Sequence, residues 1–266
     1  MTDALTRDVA ALMRRAAREA VMPHYRALTD AQIVEKAPDD LVTVADRKSE
    51  ALLSEGLAAI LPKATIVGEE AAHADPAILD RLGDSLCWII DPIDGTHNFA
   101  HGRPPFGIIV ALAEHGETVA GWIYDPLKDR LCHARRGGGA FIGEERIAAR
   151  STGEDPPVAA ISVMFMDEAQ RHAVKRHIAP HYTLTDIPRC AAEQYPRLAL
   201  GTNDVSVFER TLAWDHAAGV LWLNEAGGMA ARLDGSAYRV DDRRTGMIGA
   251  ASPAMFDALA ERLGAL

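Results

Sequence analysis

The spacing of apolar positions changes character along the chain. Val9, Leu12, Met13, Ala16 and Ala20 recur at helical intervals with arginines between them. This predicts an amphipathic helix that stops near Pro23, not the apolar core of a signal peptide. A polar, proline-containing stretch, 31–43, follows and reads as a candidate flexible lid. Asp46 then opens a second helical pattern that Pro62 ends. Short apolar runs of strand type come next, at 64–68, 85–91, 107–113, 118–125, 130–136 and 140–143, with turn residues such as His115-Gly116-Glu117 between them. They predict an antiparallel meander with the two leading helices over one face, an α+β layer. The Gly-, Pro- and acid-rich stretch 149–158 breaks the rhythm and marks the expected boundary between an N-terminal lobe, 1–150, and a C-terminal lobe, 151–266. In the second lobe, strands expected at 159–165, 182–187, 204–208, 229–233 and 247–251 alternate with helices at 167–178, 190–200, 215–227 and 253–266. That is the α/β pattern of a crossover-connected sheet with helices on its faces. Pro196 is an awkward interior residue of one of those helices.

Composition narrows the function classes. With 28 basic and 38 acidic side chains the formal charge is −10, which argues against a broad nucleic-acid or anionic-membrane surface, because both need clustered Lys and Arg. An anionic substrate would then need a local cation. The three cysteines, Cys87, Cys132 and Cys190, are far apart and lack CxxC spacing, so the chain reads as a reduced, cytoplasmic protein without a disulfide framework or zinc site. None of the ten histidines falls in an HExxH pattern, and His97, His101, His133 and His216 read as polar packing or rim residues. No apolar run approaches the roughly 20 residues that span a bilayer.

Three places put carboxylates at strand ends or helix starts: Glu69-Glu70 after TIVG, the run WIIDPIDGTHNF (88–99), and Trp214-Asp215. In the second, a buried strand delivers Asp91, Pro92 stops ladder pairing, and Asp94 follows Ile93, so two carboxylates and the Ile93 carbonyl can face one small space. This oxygen-only set suits a hard cation such as Mg²⁺. Gly95 permits a tight turn, and if a helical turn starts at Thr96, the N–H groups of Gly95 and Thr96 can hold phosphate. For a lone acid at a helix start, such as Asp46 or Asp215, capping is the simpler account. Asp91 and Asp94 would repel each other unless solvated or bound to a cation. The Gly-rich run RRGGGAF (135–141) lacks a following GK[ST] and reads as a hairpin turn.

The segments GEE (68–70), WIIDPIDGTHNF (88–99) and AWDHAAGVLWLNEAGG (213–228) resemble, in order and spacing, the signature regions of the inositol monophosphatase family of Mg²⁺-dependent, lithium-sensitive phosphatases. VTVAD ending at Asp46, HGRPPFG (101–107), the GGGAFIGEERI hairpin (137–147) and the C-terminal strand and helix are similar too. The resemblance implies a layered αβαβα fold of two lobes, commonly a homodimer, with two or three Mg²⁺ per subunit. It implies that Glu69, Asp91 and the Ile93 carbonyl bind a first Mg²⁺, that Asp91, Asp94 and Asp215 bind a second, and that a weaker third ion sits near Glu69. Glu69 and Thr96 would orient and help deprotonate the attacking water, with Asp46 supporting Thr96. Gly95 and Thr96 would hold the phosphate, and Lys36 would approach it from the candidate lid. Asp94, Ala191 and Glu209 would contact the rest of the substrate. The expected substrate is inositol 1-phosphate or a similar small polyol phosphate. Histidinol phosphate is an alternative, and so is a role as a partner of the transcription machinery. The segment RCAAEQYPRLALG (189–201) departs from the usual Gly-Thr/Ser-Ala-Ala stretch, and Glu209 lies one residue closer to Trp214 than is typical.

Overall fold

The computed structural model describes residues 2–37, 40–161 and 166–264. Helix α1 (Thr2–Ala16) leads through a π-helical turn to a 3₁₀ turn containing Pro23. The expected lid stretch is a hairpin, β1 (Ile33–Ala37) paired antiparallel with β2 (Asp40–Thr43). Helix α2 (Val44–Ile60) starts from a capping box: Thr43 Oγ1 accepts from the Ala45 N–H, and the Asp46 carboxylate turns back to accept from the Thr43 N–H at 2.7 Å. Asp46 thus has the capping role anticipated for it, as the third residue of the helix.

Among the described residues the larger strands form two sheets. The first has seven strands in chain order: β3 (Thr65–Gly68), β4 (Cys87–Asp94), β5 (Gly107–Glu114), β6 (Glu117–Asp125), β7 (Arg130–Arg135), β8 (Gly139–Ile142) and β9 (Glu145–Ile147). From β4 onward it is the expected antiparallel meander, but β3 and β4 run parallel. Between them the chain makes helix α3 (Glu69–Ala74) and a 3₁₀ helix (Pro76–Gly83), a crossover long enough to return it to the same end of the sheet. The all-antiparallel expectation fails there because the crossover segments, 69–74 and 76–83, are too short to show a helical period. The second sheet has order β11-β10-β12-β14-β13, from β10 (Val158–Ile161), β11 (Thr183–Thr185), β12 (Val205–Phe208), β13 (Met229–Arg232) and β14 (Met247–Ala250). Its β10 pairs are parallel and its β14 pairs antiparallel, so it is mixed. The strand expected over 159–165 is seen to Ile161, and 162–165 lie outside the described residues.

Three apolar cores separate the layers. Val9, Met13, Leu53 and Leu57 of α1 and α2 pack on Trp88, Ile90, Val110 and Trp122 on one face of the first sheet. On its other face Ile89, Ile109, Ile123 and Cys132 meet Tyr195 and Leu198 of α6 (Ala191–Ala199) and Ala218, Leu221 and Trp222 of α7 (Ala213–Glu225). These two helices also pack against the second sheet, where Leu198 and Leu223 lie over Gly249. The last core joins β10, β12 and β14 to Phe256 and Leu259 of α8 (Pro253–Gly264). The order helix, sheet, helix, sheet, helix is the αβαβα layering that the resemblance implies. Because α6 and α7 touch both sheets, they carry residues of the C-terminal half to the carboxyl end of β4. Among the described residues no helix is long and apolar enough to cross a membrane.

Candidate active site

The centre of the site is made by an irregularity in β4. Asp91 pairs with Ile109 and Asp94 with Gly107, so three residue steps on β4 face two on β5. Strand alternation would send side chains three apart to opposite faces, and the extra residue brings Asp91 and Asp94 to the same side. Pro92 is tolerated there because a bulge does not need its N–H. Asp91 Oδ1 accepts from the Ile93 N–H at 3.0 Å, and Ser49 Oγ from α2 donates to the Pro92 carbonyl at 3.1 Å. Gly95 follows with φ +82°, the left-handed turn at which helix α4 (Thr96–Ala100) begins.

Asp215, third residue of α7, completes the cluster: one carboxylate oxygen from each of Asp91, Asp94 and Asp215 lies within 4.8 Å of the others. Asp91 and Asp94 are buried and Asp215 half-buried. Burial, then the negative charges of Glu69, Asp94, Asp215 and Asp46, push the Asp91 carboxyl well above its usual range. Burial raises Asp94 as well, against the pull of donors from Cys190, Ala192, Ala191 and Gly95. The charges that weigh most on Asp91 are all negative, and an oxygen-only donor set fits a hard divalent cation. The Ile93 carbonyl lies in the same wall, accepting from Thr96 Oγ1 at 2.8 Å and keeping a second lone pair.

A cavity of about 210 Å³ opens over this cluster, lined also by Glu69, Gly95, Thr96, Ala191 and Glu209. Thr96 Oγ1 lies 3.3 Å from Asp46 Oδ1, so the fully buried Asp46 stands behind Thr96 and not in the cavity wall. Glu69 opens α3 at the cavity edge but is outside the three-carboxylate cluster. Lys36 belongs to β1, and its side chain lies outside the described part of the structure. Leu41 of β2 brings the hairpin to the cavity.

Several positioning residues escaped the sequence reading. Glu50, buried on α2, accepts from the Glu70 N–H at 2.8 Å and the Ala71 N–H at 2.9 Å, and so fixes the start of α3 beside Glu69. The signal for it was available: Asp46, Ser49, Glu50, Leu53 and Leu57 fall on one buried stripe of α2, and polar residues on a core-facing stripe need partners. Asp94 Oδ2 accepts from the Ala192 N–H at 2.6 Å and the Cys190 thiol at 3.0 Å, tying the start of α6 to the turn. Asn98 Nδ2 donates to the carbonyls of Pro105 (2.8 Å) and Pro188 (2.9 Å). His216, buried on α7, donates through Nε2 to the Arg210 carbonyl at 3.0 Å and accepts at Nδ1 from Tyr195 Oη at 2.8 Å, which fixes the segment bearing Glu209. Burial lowers its pKa to about 4.

The family model described as "Inositol monophosphatase family" matches residues 4–265. The chain belongs to the inositol monophosphatase family. It is 32% identical over 206 residues to an inositol-1-monophosphatase of Bacillus subtilis, covering 76% of each chain. It is 30% identical over 257 residues to the Nus factor SuhB of Vibrio cholerae, covering 94% of this chain and 93% of that one. The crystal structure of the extragenic suppressor protein suhB from Bartonella henselae superposes with a TM-score of 0.82 at 28% identity, covering 98% of both. The similarity reaches proteins bearing either kind of name and extends over both sheets.

Proposed function

We propose that this member of the family is a Mg²⁺-dependent phosphomonoesterase that hydrolyses inositol 1-phosphate or a similar small polyol phosphate. The observation that carries the reading is the convergence of Asp91, Asp94 and Asp215 at the floor of a cavity, beside the Gly95 turn. In this reading Glu69, Asp91 and the Ile93 carbonyl hold one Mg²⁺, Asp91, Asp94 and Asp215 hold a second, and Glu69 borders a weaker third. Bound Mg²⁺ supplies charge neutralisation for the phosphate dianion and acidifies water.

The protein groups do the rest. Gly95 and Thr96 offer N–H donors to the phosphate oxygens. Thr96 Oγ1 has a single proton, which it donates in a hydrogen bond to Asp46 Oδ1 or the Ile93 carbonyl, so its lone pairs remain to accept a hydrogen bond from the attacking water. Glu69 takes up the second proton of that water as its oxygen forms the new bond to phosphorus. The ester P–O bond breaks, the leaving alkoxide takes a proton from solvent water to become the alcohol, and Glu69 returns its proton to solvent. Glu209, Ala191, Asp94 and Lys36 face the alcohol part of the substrate. The enzyme acts as a cytoplasmic, lithium-sensitive homodimer built from two lobes, 1–150 and 151–266.

Phosphate release from inositol 1-phosphate, histidinol phosphate, fructose 1,6-bisphosphate, 3′-phosphoadenosine 5′-phosphate and glycerol 2-phosphate, with and without Mg²⁺, tests this. Turnover of a polyol phosphate only with Mg²⁺ supports it, and turnover of none overturns it. A second reading, a partner of the transcription machinery, is favoured by the likeness over nearly the whole chain to a protein named Nus factor SuhB. Capture of RNA polymerase components from lysate, with no phosphate release, would favour that reading over the first.

A further inference from the structure

The cavity that holds the carboxylates is also lined by two arginines, Arg189 and Arg210. Among the described residues Arg189 is one of four non-glycine residues in the left-handed region, with φ 53°. It is held there from both sides. Pro188, before it, is tied through its carbonyl to Asn98, and Cys190 and Ala192, after it, are tied to Asp94 Oδ2. Asp94 ends β4 and Asn98 lies in α4, so the two anchors flank the Gly95 turn. A glycine would adopt this backbone without strain, so the fold keeps an arginine at a place where the side chain raises the conformational cost. Arg189 is half-buried, two residues before the α6 start that Asp94 holds, and lines the same cavity as Asp91, Asp94 and Asp215. Arg210 joins that wall from the segment whose carbonyl His216 fixes.

We propose that Arg189, assisted by Arg210, forms a subsite for a second anionic group, so that the preferred substrates are phosphomonoesters that also carry a carboxylate or a second phosphate. This inference rests on the phosphomonoesterase reading and moves its preferred substrate from a singly phosphorylated polyol to an ester bearing a second anion. The planar guanidinium matches the paired oxygens of either anion, and in a chain of net charge −10 a local cation is what lets a multiply charged substrate approach.

The test is the rate of phosphate release at saturating Mg²⁺ on matched pairs. 3-Phosphoglycerate against glycerol 3-phosphate adds a carboxylate, and fructose 1,6-bisphosphate against fructose 1-phosphate adds a phosphate. The wild type is expected to favour the two-anion member of at least one pair by about tenfold in kcat/KM, mainly through KM. The pair that shows the preference identifies the anion. In Arg189→Gly the ratio should fall to within about threefold of one, with a melting temperature close to wild type because glycine relieves the left-handed backbone, and Arg189→Lys should keep part of the preference. Ratios near one in the wild type, with turnover intact, overturn the subsite and leave the phosphomonoesterase reading standing. If no ester is hydrolysed, that reading fails, and calorimetric binding of phosphoglycolate against ethyl phosphate decides the subsite. Tighter binding of phosphoglycolate that Arg189→Gly removes supports it, and equal binding overturns it.

Discussion

Glu50→Gln tests whether the start of α3 is held by a buried carboxylate. Glu50 is 8% exposed, and its two oxygens accept separately from the Glu70 and Ala71 N–H groups at 2.8 and 2.9 Å. Glutamine keeps the shape and one acceptor oxygen, but its NH₂ group must face the other N–H. The change removes one charge-assisted hydrogen bond, worth about 1.5–3 kcal/mol, and leaves a buried donor unpaired, about 1–3 kcal/mol. These overlap, so the expected loss is about 2–4 kcal/mol. At roughly 2 °C per kcal/mol for a chain of this size, the melting temperature should fall by about 4–8 °C. The carboxylate packs closely over Gly68, where a Cβ would meet Glu50 Cδ at 2.4 Å. Glu69 is the residue before the first anchored N–H. A displacement of α3 by about 1 Å would lower kcat roughly a hundredfold if Glu69 positions water. Thermal unfolding in EDTA and in Mg²⁺, with phosphate release measured well below the melting point, checks both effects. Glu55→Gln on the exposed face of the same helix serves as the control. A Glu50→Gln protein that melts within 1 °C of wild type and turns over within twofold would refute the anchoring argument.

Other outcomes follow from the same geometry. Asp91→Asn should stabilise the metal-free protein, because it removes a buried charge that burial and the neighbouring carboxylates Glu69, Asp94, Asp215 and Asp46 disfavour. A carboxyl whose folded pKa is raised contributes stability at low pH that is lost as pH rises through the folded value, so the gain in EDTA should grow with pH, while Mg²⁺-induced stabilisation disappears and turnover drops by orders of magnitude. Differential scanning calorimetry with and without Mg²⁺ reads this, and a variant less stable than wild type at pH 8 in EDTA counts against it. For His216, lowered from 6.5 to about 4, the folded state resists a proton that the unfolded chain accepts. Its contribution is therefore present above pH 6.5 and lost as pH falls toward 4, on the order of 3 kcal/mol, and His216→Asn, though less stable overall, should show a shallower acid-side slope in urea unfolding at fixed Mg²⁺. Gly219→Ala should destabilise by about 3 kcal/mol or prevent folding, since its Cβ would fall 2.0 Å from Cδ2 of the buried Tyr195 ring, and soluble yield and melting temperature measure it.

Which of these features could be read in the sequence depends on the range of the interaction that makes them. The β4 to β8 meander was legible because each strand pairs with the next, so local alternation and turn residues carry the information. The parallel β3–β4 pair was not, because its register is set by a crossover whose α3 and 3₁₀ segments, 69–74 and 76–83, are too short to show a period. The second sheet mixes parallel and antiparallel neighbours, and the alternation of runs reveals its helices but not the position of β14 between β12 and β13. The site divides in the same way. Asp91 and Asp94 announce themselves through a local motif whose extra residue makes the bulge, and the structure adds Asp215 to them from 121 positions away on the chain, a convergence that only the resemblance had implied. The residues that fix the geometry were less visible, since Glu50 and His216 act on backbone groups, Glu70, Ala71 and Arg210, and a backbone N–H or carbonyl has no identity in the sequence. What the sequence does carry is the cost of placing such groups inside: a glutamate on an apolar helix stripe, or a histidine inside the run AWDHAAGVLWL, is stable only when a donor or acceptor waits for it. Arg189 belongs to the same class, because its left-handed backbone shows only when the chain on either side is seen pinned to Asn98 and Asp94, and that constraint is what turns an ordinary arginine into a candidate selector of substrate.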